Sequence, residues 1–147
     1  MIDLSKNDCM RQVIEFAQTI DSSEVPVAAF IVRDNQIIAR ALNTREKCQD
    51  VFGHAELNAI KIAQQKLNSW NLADCQIYIS LEPCVMCAGA IAQSHINEIY
   101  FAAYDYKFGA CGSKFMVFPN STRIQGGILE SEAKQLLEDF FKDKRED

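Results

Sequence analysis

Residues 75–105, "CQIYISLEPCVMCAGAIAQSHINEIYFAAYD", carry the clearest pattern of secondary structure in the sequence. This stretch opens with "CQIYISL" (75–81), whose apolar, β-branched and aromatic residues predict a buried strand. The next stretch, "CVMCAGAIAQS" (84–94), is small and apolar, which predicts a buried helix. A second apolar run, "NEIYFAAYD" (97–105), predicts another strand. The sequence therefore predicts a strand, a helix and a strand in succession at the centre of the protein.

On the N-terminal side, the pattern predicts a helix that begins after Ser5, a good N-cap, with Asp8 in its first turn. Apolar residues then recur at helical spacing: Met10, Val13, Ile14, Ala17 and Ile20. Two apolar runs separated by the turn formers Asp34 and Asn35 predict a hairpin over 27–42. The helical period returns over 54–67. This half of the chain is thus predicted to supply two helices and a hairpin.

Towards the C-terminus, "SEAKQLLEDFFKDK" (131–144) predicts an amphipathic helix capped by Ser131. We expect its two phenylalanines, Phe140 and Phe141, to pack against the core or its edge. Helices that alternate with the later strands predict an α/β sandwich around one mixed sheet.

Bulk properties narrow the class of protein. The chain has 147 residues, which fits one domain over 1–147. It has no apolar run long enough to span a membrane and no secretory signal, so we expect a cytoplasmic protein. The net charge of −5 argues mildly against a nucleic-acid binder, which usually carries a basic footprint.

The two cysteines of "EPCVMC" are the first candidates for chemistry. In a reducing compartment the six cysteines should be free thiols. Cys84 and Cys87 are spaced so that both sulfurs lie on one face of a helix's first turn, where the helix end favours thiolate. A redox pair, half of a structural zinc site, and buried apolar thiols remain alternatives on the pair alone. A structural zinc site would need a second short-spaced pair, and the sequence has no other C-x-x-C.

His54 and Glu56 supply the rest of a candidate site. They stand at a helix start, where two residues at this spacing can reach one pocket. With Cys84 and Cys87, His54 makes three ligands and leaves a fourth tetrahedral position open to water, as in catalytic zinc sites. Glu56 would then be the general acid and base. The sequence predicts one Zn²⁺ per chain on His54, Cys84 and Cys87, with Glu56 as the catalytic residue.

The combination H-x-E followed by P-C-x-x-C is the signature of zinc-dependent nucleobase deaminases. The chain resembles the cytidine deaminase-like superfamily, and within it the bacterial tRNA-specific adenosine deaminases. The likeness runs over nearly the whole chain, through "EVPVAAFIV" (24–32), "ARALNTRE" (39–46), "HAELNAI" (54–60), "FAAYDYKFGACGS" (101–113) and "GGILESEAKQLLEDFF" (126–141).

The resemblance implies a three-layer α/β/α sandwich around one mixed five-stranded sheet, assembled as a homodimer. It implies hydrolytic deamination of the wobble adenosine in a tRNA anticodon loop to inosine, with release of ammonia. Glu56 would pass the protons. The implied substrate contacts are the Asn43 side chain, the Ala55 backbone, the carbonyl of Glu82 or Pro83, and, beside the flanking nucleotides, Asp105 and Lys107.

Departures from the family pattern bear on the substrate. Ala28 replaces a usual glycine, and Asn71 and His95 replace usual arginines, while segment 114–127 is shorter. The last ten residues hold five acidic and three basic side chains. Since phosphate contacts supply much of the affinity for RNA, these changes concern tRNA binding rather than zinc chemistry.

A local basic patch could still form from Lys107, Lys114, Lys142, Lys144 and Arg145. The alternative is a deaminase of a free base or nucleoside, namely guanine, cytosine or cytidine. A third reading is a non-catalytic, zinc-binding partner subunit, which the presence of Glu56 disfavours. The role of Cys111 stays open.

Overall fold

The structure, a computed structural model, describes residues 5–146, with side chains through Lys144. In chain order the elements are α1 (Lys6–Ala17), β1 (Ala28–Arg33), β2 (Gln36–Leu42), α2 (Arg45–Cys48), α3 (Ala55–Leu67), β3 (Gln76–Leu81), α4 (Val85–Gln93), β4 (Glu98–Ala103), β5 (Arg123–Gln125) and α5 (Glu130–Glu146). Ser5 caps α1 by accepting the Asp8 N–H, as predicted. The helix ends at Ala17, so Ile20 lies beyond it.

One five-stranded mixed sheet organises the protein, in the order β2-β1-β3-β4-β5. β1 is antiparallel to both β2 and β3, whereas the β3–β4 and β4–β5 pairs are parallel. Successive strand side chains point to opposite faces. Ala29 and Ile31 therefore pack with α3 and α4, while Ala28 and Phe30 pack with α1 and α5. The predicted three-layer α/β/α sandwich is confirmed.

The strand–helix–strand unit of 75–105 brings two loops together at one edge of the sheet. β3 and β4 run parallel, and Leu81 pairs with Ala103 at their carboxyl ends. Parallel strands end at the same edge, so the residues that follow β3 and those that follow β4 meet there. The "EPC" turn (82–84) consequently faces the loop 105–113.

Three local features differ from the sequence prediction. The short helix α2 and the short strand β5 were not predicted as elements, since each spans too few residues to show a period. Ser131 is not a cap, because α5 already begins at Glu130. The N–H groups of Gly127 and Ile128 still donate to sheet carbonyls, and Leu129 has φ 56°. The chain thus leaves the sheet at 128 and winds immediately after one left-handed residue.

The hairpin over 27–42 forms as predicted. Asp34 and Asn35 both have positive φ, 50° and 60°, which matches the right-handed twist of two-residue hairpins. A register shift between Ile31 and Val32 lies close to that turn. Its other end delivers Asn43 to the edge where the "EPC" turn lies.

Helix length decides one further point. A membrane-spanning helix needs about 20 mostly apolar residues. The longest helix here has 17 residues and is strongly charged. Within residues 5–146, no helix is long and apolar enough to cross a bilayer.

Candidate active site and metal centre

Two helix starts bring the three predicted metal ligands together. His54 is the N-cap of α3, with extended backbone at φ −96° and ψ 142°. Cys84 is the N-cap of α4, and Cys87 lies in that helix's first turn. His54 Nδ1 lies 3.4 Å from Cys87 Sγ and 3.8 Å from Cys84 Sγ. The three ligand atoms all lie within 4.8 Å of one another.

These separations fit a tetrahedral ion. With zinc–sulfur and zinc–nitrogen bonds of about 2.3 and 2.0 Å, a tetrahedral site separates nitrogen from sulfur by about 3.5 Å. The observed 3.4 and 3.8 Å bracket that value. One imidazole and two sulfur donors also suit zinc by chemical softness. The group therefore has the geometry and the donor set of a three-ligand zinc site.

The pKa shifts of the three predicted ligands also favour cation binding. The Cys87 thiol beside Cys84 lowers the pKa of Cys84 to about 3. The same contact, together with burial, raises the pKa of Cys87. The contact with Cys84 raises the pKa of His54. Negative charge is thus held at Cys84, and a bound cation would favour thiolate at Cys87 as well, because ligating thiols are deprotonated.

Glu56 lies in the same pocket as His54 and Cys84. Its carboxyl is buried, with 4% of the residue exposed. Burial raises the pKa of Glu56. A buried carboxyl whose pKa is raised is suited to accept and return a proton. The spacing of two at the start of α3 thus brings both side chains to one cavity.

The cavity around this group has a volume of about 360 Å³. That lies within the range of small-molecule sites. Its wall is mixed: apolar side chains from Val25, Val27 and Leu81, and polar or charged side chains near the ligands. A second, more open groove of about 390 Å³ lies between β2 and α3 and contains none of the predicted ligands.

Asn43 and Ala55, both predicted substrate contacts, bind each other. Asn43 Oδ1 accepts the Ala55 N–H at 2.8 Å. Asn43 Nδ2 donates to the Val25 carbonyl at 3.2 Å. An amide nitrogen carries two hydrogens, so the second can face the pocket that Asn43 lines. The Ala55 N–H, in contrast, is already used by the protein.

Glu82 and Pro83 anchor the loop 105–113 as well as standing beside Cys84. The Pro83 carbonyl accepts the Ala110 N–H at 2.8 Å, which uses part of its accepting capacity. The Glu82 N–H donates to the Ala103 carbonyl at 2.8 Å. The Glu82 carboxylate is buried against the loop and also reaches the pocket wall.

Asp105 and Lys107 occupy different positions. Asp105 lines the pocket, and its carboxylate accepts the N–H groups of Lys107 and Phe108 at 3.1 Å each. The Lys107 side chain is exposed outside the pocket wall. Lys114, Lys142 and Lys144 are likewise exposed and outside it, and the side chain of Arg145 lies outside the described residues.

Several pocket residues were not predicted. Phe108 and Phe141 line the cavity with 62% and 46% of their surfaces exposed, so Phe141 is not core packing. Neighbouring helical residues point about 100° apart, so of two adjacent phenylalanines one must face away from the core. The exposure of one of these two phenylalanines could therefore have been predicted from the sequence. No sequence pattern indicated that Glu24 and Arg45 would line the pocket.

Glu24 organises the segment that follows Asn43. Its buried carboxylate accepts the N–H groups of Glu46 and Lys47 at 3.0 and 2.7 Å, which caps α2. Arg45 contributes a guanidinium to a wall that includes four carboxylic side chains, and its ion-pair partner is the exposed Glu46 at 3.2 Å. Among the described residues, one arginine therefore lines this pocket.

Known proteins share this architecture. The MafB19-like deaminase family matches residues 4–145. The tRNA-specific adenosine deaminase of Aquifex aeolicus is 38% identical over 89% of both chains. The chloroplastic tRNA(adenine(34)) deaminase of Arabidopsis thaliana is 37% identical, covering 88% of this chain and 12% of that protein.

Solved structures of similar proteins have the same fold. One, from work on A-to-I editing by tRNA:A34 deaminases at the wobble position of transfer RNA, superposes with a TM-score of 0.80. It is 34% identical and covers 87% of this chain and 97% of that one. The guanine deaminase of Bacillus subtilis gives 0.65 at 32% identity, over 69% and 66%. With the ligand geometry, these likenesses show that the chain belongs to the MafB19-like deaminase family of the cytidine deaminase-like superfamily.

Proposed function

We propose that residues 1–147 form a single zinc-dependent hydrolase domain. It deaminates the wobble adenosine of tRNA to inosine and releases ammonia. The observation that carries the proposal is the cluster of His54, Cys84 and Cys87, of which His54 and Cys84 line one cavity together with buried Glu56. These three side chains would hold the zinc ion. When bound, zinc supplies Lewis acidity that makes water nucleophilic at neutral pH.

Glu56 performs the proton transfers in this proposal. Deamination adds water at C6 of adenine and expels the amino group as ammonia, so protons must move from the water to the ring nitrogen and to the leaving amine. Glu56 can hold each proton in turn, because burial raises the pKa of its carboxyl. The buried position also shields the proton from bulk solvent.

The pocket rim supports an RNA substrate. A base can enter only when its nucleotide is splayed out of the loop. Phe108 and Phe141 are partly exposed at the wall and offer faces for a base or its neighbour. Arg45 offers a guanidinium for a phosphate. A free base would need none of these groups outside its own footprint.

A second candidate is a deaminase of a free nucleobase or nucleoside, acting on guanine, cytosine or cytidine. Four carboxylic side chains, Glu24, Glu56, Glu82 and Asp105, line the pocket, and the chain carries a net charge of −5. Both features disfavour a polyanion. The carboxylates of Glu24 and Glu82 already accept hydrogen bonds from backbone N–H groups, so these two side chains stabilise the protein rather than bind a ligand.

We also propose that the protein is a cytoplasmic homodimer. Exposed apolar side chains cluster in sequence after β4, at Tyr106, Phe108, Phe115, Met116 and Val117. A second copy would cover such a surface and line the pocket mouth beside Phe108. All six cysteines are free, as expected in a reducing compartment. Sedimentation of the protein alone and of Met116→Glu tests the dimer.

The deciding experiment compares substrates. The zinc-loaded protein is incubated separately with an anticodon stem-loop carrying a wobble adenosine, with guanine and with cytidine, and ammonia and inosine are measured. We expect release from the stem-loop alone, and none from Glu56→Gln. Ammonia from guanine or cytidine, with none from the stem-loop, would establish the second candidate. A protein that holds zinc and releases ammonia from none of them would be a non-catalytic subunit.

A further inference from the structure

Glu82 carries a buried carboxylate that is not part of the metal-ligand group. The residue is 2% exposed. One carboxylate oxygen, Oε1, accepts the Asp105 N–H at 3.1 Å and the Ser113 hydroxyl. The other, Oε2, accepts the N–H groups of Cys111 and Ser113 at 3.0 and 3.1 Å. Four donors from one loop thus converge on a single side chain.

The loop closes tightly over this carboxylate. A Cβ on Gly109 would lie 2.4 Å from Glu82 Cδ and 2.4 Å from the Asp105 carbonyl oxygen, so this position has room for glycine alone. The Gly109 N–H donates to the Asp105 carbonyl at 2.8 Å. The Ala110 N–H donates to the Pro83 carbonyl at 2.8 Å. The loop 105–113 is therefore fastened to the "EPC" turn at both Glu82 and Pro83.

The two partners of this clamp belong to different parts of the site. Glu82 stands two residues before Cys84, a metal-ligand position at the start of α4. The loop carries Asp105 and Phe108, which form part of the pocket wall. We propose that Glu82 is a positioning residue, whose carboxylate fixes the substrate-facing loop 105–113 at a set distance from the metal-binding turn. Its part in substrate binding rests on the proposed function, whereas the clamp itself does not.

The proposal requires the carboxylate and not merely a polar side chain. An ionised carboxylate only accepts hydrogen bonds, and each oxygen can accept two. A glutamine has the same shape, but its NH₂ group is a hydrogen-bond donor. It would take the place of one carboxylate oxygen and face the donors that this oxygen accepts. An aspartate keeps the charge but is shorter by one methylene and cannot reach all four donors. Both substitutions should release part of the loop.

The test measures the loop directly, in zinc-loaded protein without substrate. Backbone hydrogen exchange at Asp105, Cys111 and Ser113 should be at least ~10-fold faster in Glu82→Gln, as expected for losing a hydrogen bond to a charged group. Zinc content should remain one per chain. With the stem-loop, KM should rise by a larger factor than kcat falls. Unchanged exchange at all three amides would overturn the proposal.

A matched control separates the clamp from general destabilisation. Glu98 also accepts several bonds, from Gln76, Tyr100 and Arg123, but stands at the other end of β4. Glu98→Gln should leave exchange at the three loop amides unchanged. An equal acceleration by both substitutions would show that the Glu82 effect is not local and would also overturn the proposal.

A milder variant covers the case in which Glu82→Gln does not fold. Ser113→Ala removes the hydroxyl donor and leaves the carboxylate and the backbone donors in place. Exchange at Cys111 and Ser113 should then rise by a smaller factor, and no change would contradict the clamp. Because none of the exchange measurements uses a substrate, inactivity of the unmodified protein on the stem-loop would refute the proposed function and leave the clamp standing.

Discussion

Asn43 Oδ1 accepts the N–H of Ala55 at 2.8 Å, so a side chain from the end of the hairpin fixes the first turn of α3. That turn carries His54 on one side of Ala55 and Glu56 on the other. Asn43 therefore fixes the position of His54, a predicted metal ligand, and of Glu56, the proposed general acid and base.

Replacing Asn43 with alanine should lower both activity and stability. The substitution leaves the Ala55 N–H without its partner, which costs about 1–3 kcal/mol of unfolding free energy. Urea unfolding and kcat/KM measure the two effects. Asn58→Ala is the control, because Asn58 also bonds this segment, through Leu42 and Thr44, but lies outside the cavity. It should lower stability while keeping kcat/KM near normal, and equal loss of kcat/KM in both variants would contradict the role of Asn43.

Zinc content should depend on Cys87. Cys87→Ala leaves two of the three ligands, so elemental analysis should find well below one zinc per chain. Cys111→Ala is a matched control, since Cys111 is also buried but its thiol is not part of the ligand group. It should retain the metal. Equal zinc in Cys87→Ala and the unmodified protein would refute the ligand assignment.

Glu56→Gln should retain zinc and fold but lose turnover by at least ~10²-fold, the lower range for general acid–base catalysis. Single-turnover ammonia release and circular dichroism provide the measurements. Turnover close to that of the unmodified protein would remove Glu56 from the reaction.

Charge reversal at Lys107 or at Arg45 should weaken RNA binding without loss of zinc. Lys107→Glu and Arg45→Glu should each raise the Kd for the stem-loop and reduce its salt dependence, by ~0.7 in log–log slope per lost phosphate contact on a single strand. Lys66→Glu is the control, because Lys66 lies in the last turn of α3, about 15 Å along the helix from Glu56. An effect of Lys66→Glu as large as the other two would indicate only bulk charge.

Thiol reactivity should follow burial. Cys48 is exposed and should be alkylated in the native protein, whereas Cys9 and Cys75 should be protected. Burial raises the pKa of Cys9 to about 12 and that of Cys75 to about 11. Mass spectrometry after iodoacetamide at pH 8.5 reads out each site, and rapid native labelling of Cys9 would contradict its burial.

The same burial predicts an alkaline loss of stability. An unfolded Cys9 ionises near its ordinary pKa of 9.0, whereas the folded thiol keeps its proton up to a pKa of about 12. Between those values the unfolded chain binds fewer protons, so unfolding free energy should fall as pH rises. Urea unfolding from pH 8 to 11 measures this, and Cys9→Ala should flatten the dependence.

The sequence was informative where function restricts residue type and spacing. The strand–helix–strand unit at 75–105 was predictable from its apolar pattern, and the grouping of His54, Cys84 and Cys87 from donor types that suit one metal ion. Arg45 and Glu24 were not predictable. Their roles arise because α2, a four-residue helix without a period, folds against the site. The Glu82 carboxylate was overlooked for a related reason: three of its four donors are backbone N–H groups, which no residue identity reveals.

The positions of His54 and Cys84 have a consequence for folding as well as chemistry. They lie 30 residues apart in the chain, one before α3 and the other before α4. An ion held by both would act as a reversible cross-link that ties the hairpin half to the parallel-strand half. An ion that binds the folded chain and not the unfolded one stabilises the fold by mass action, by about 2.7 kcal/mol when its free concentration is about 100 times its Kd. Removal of the ion would then lower the unfolding free energy of the protein as well as take away the chemistry that the ion would supply.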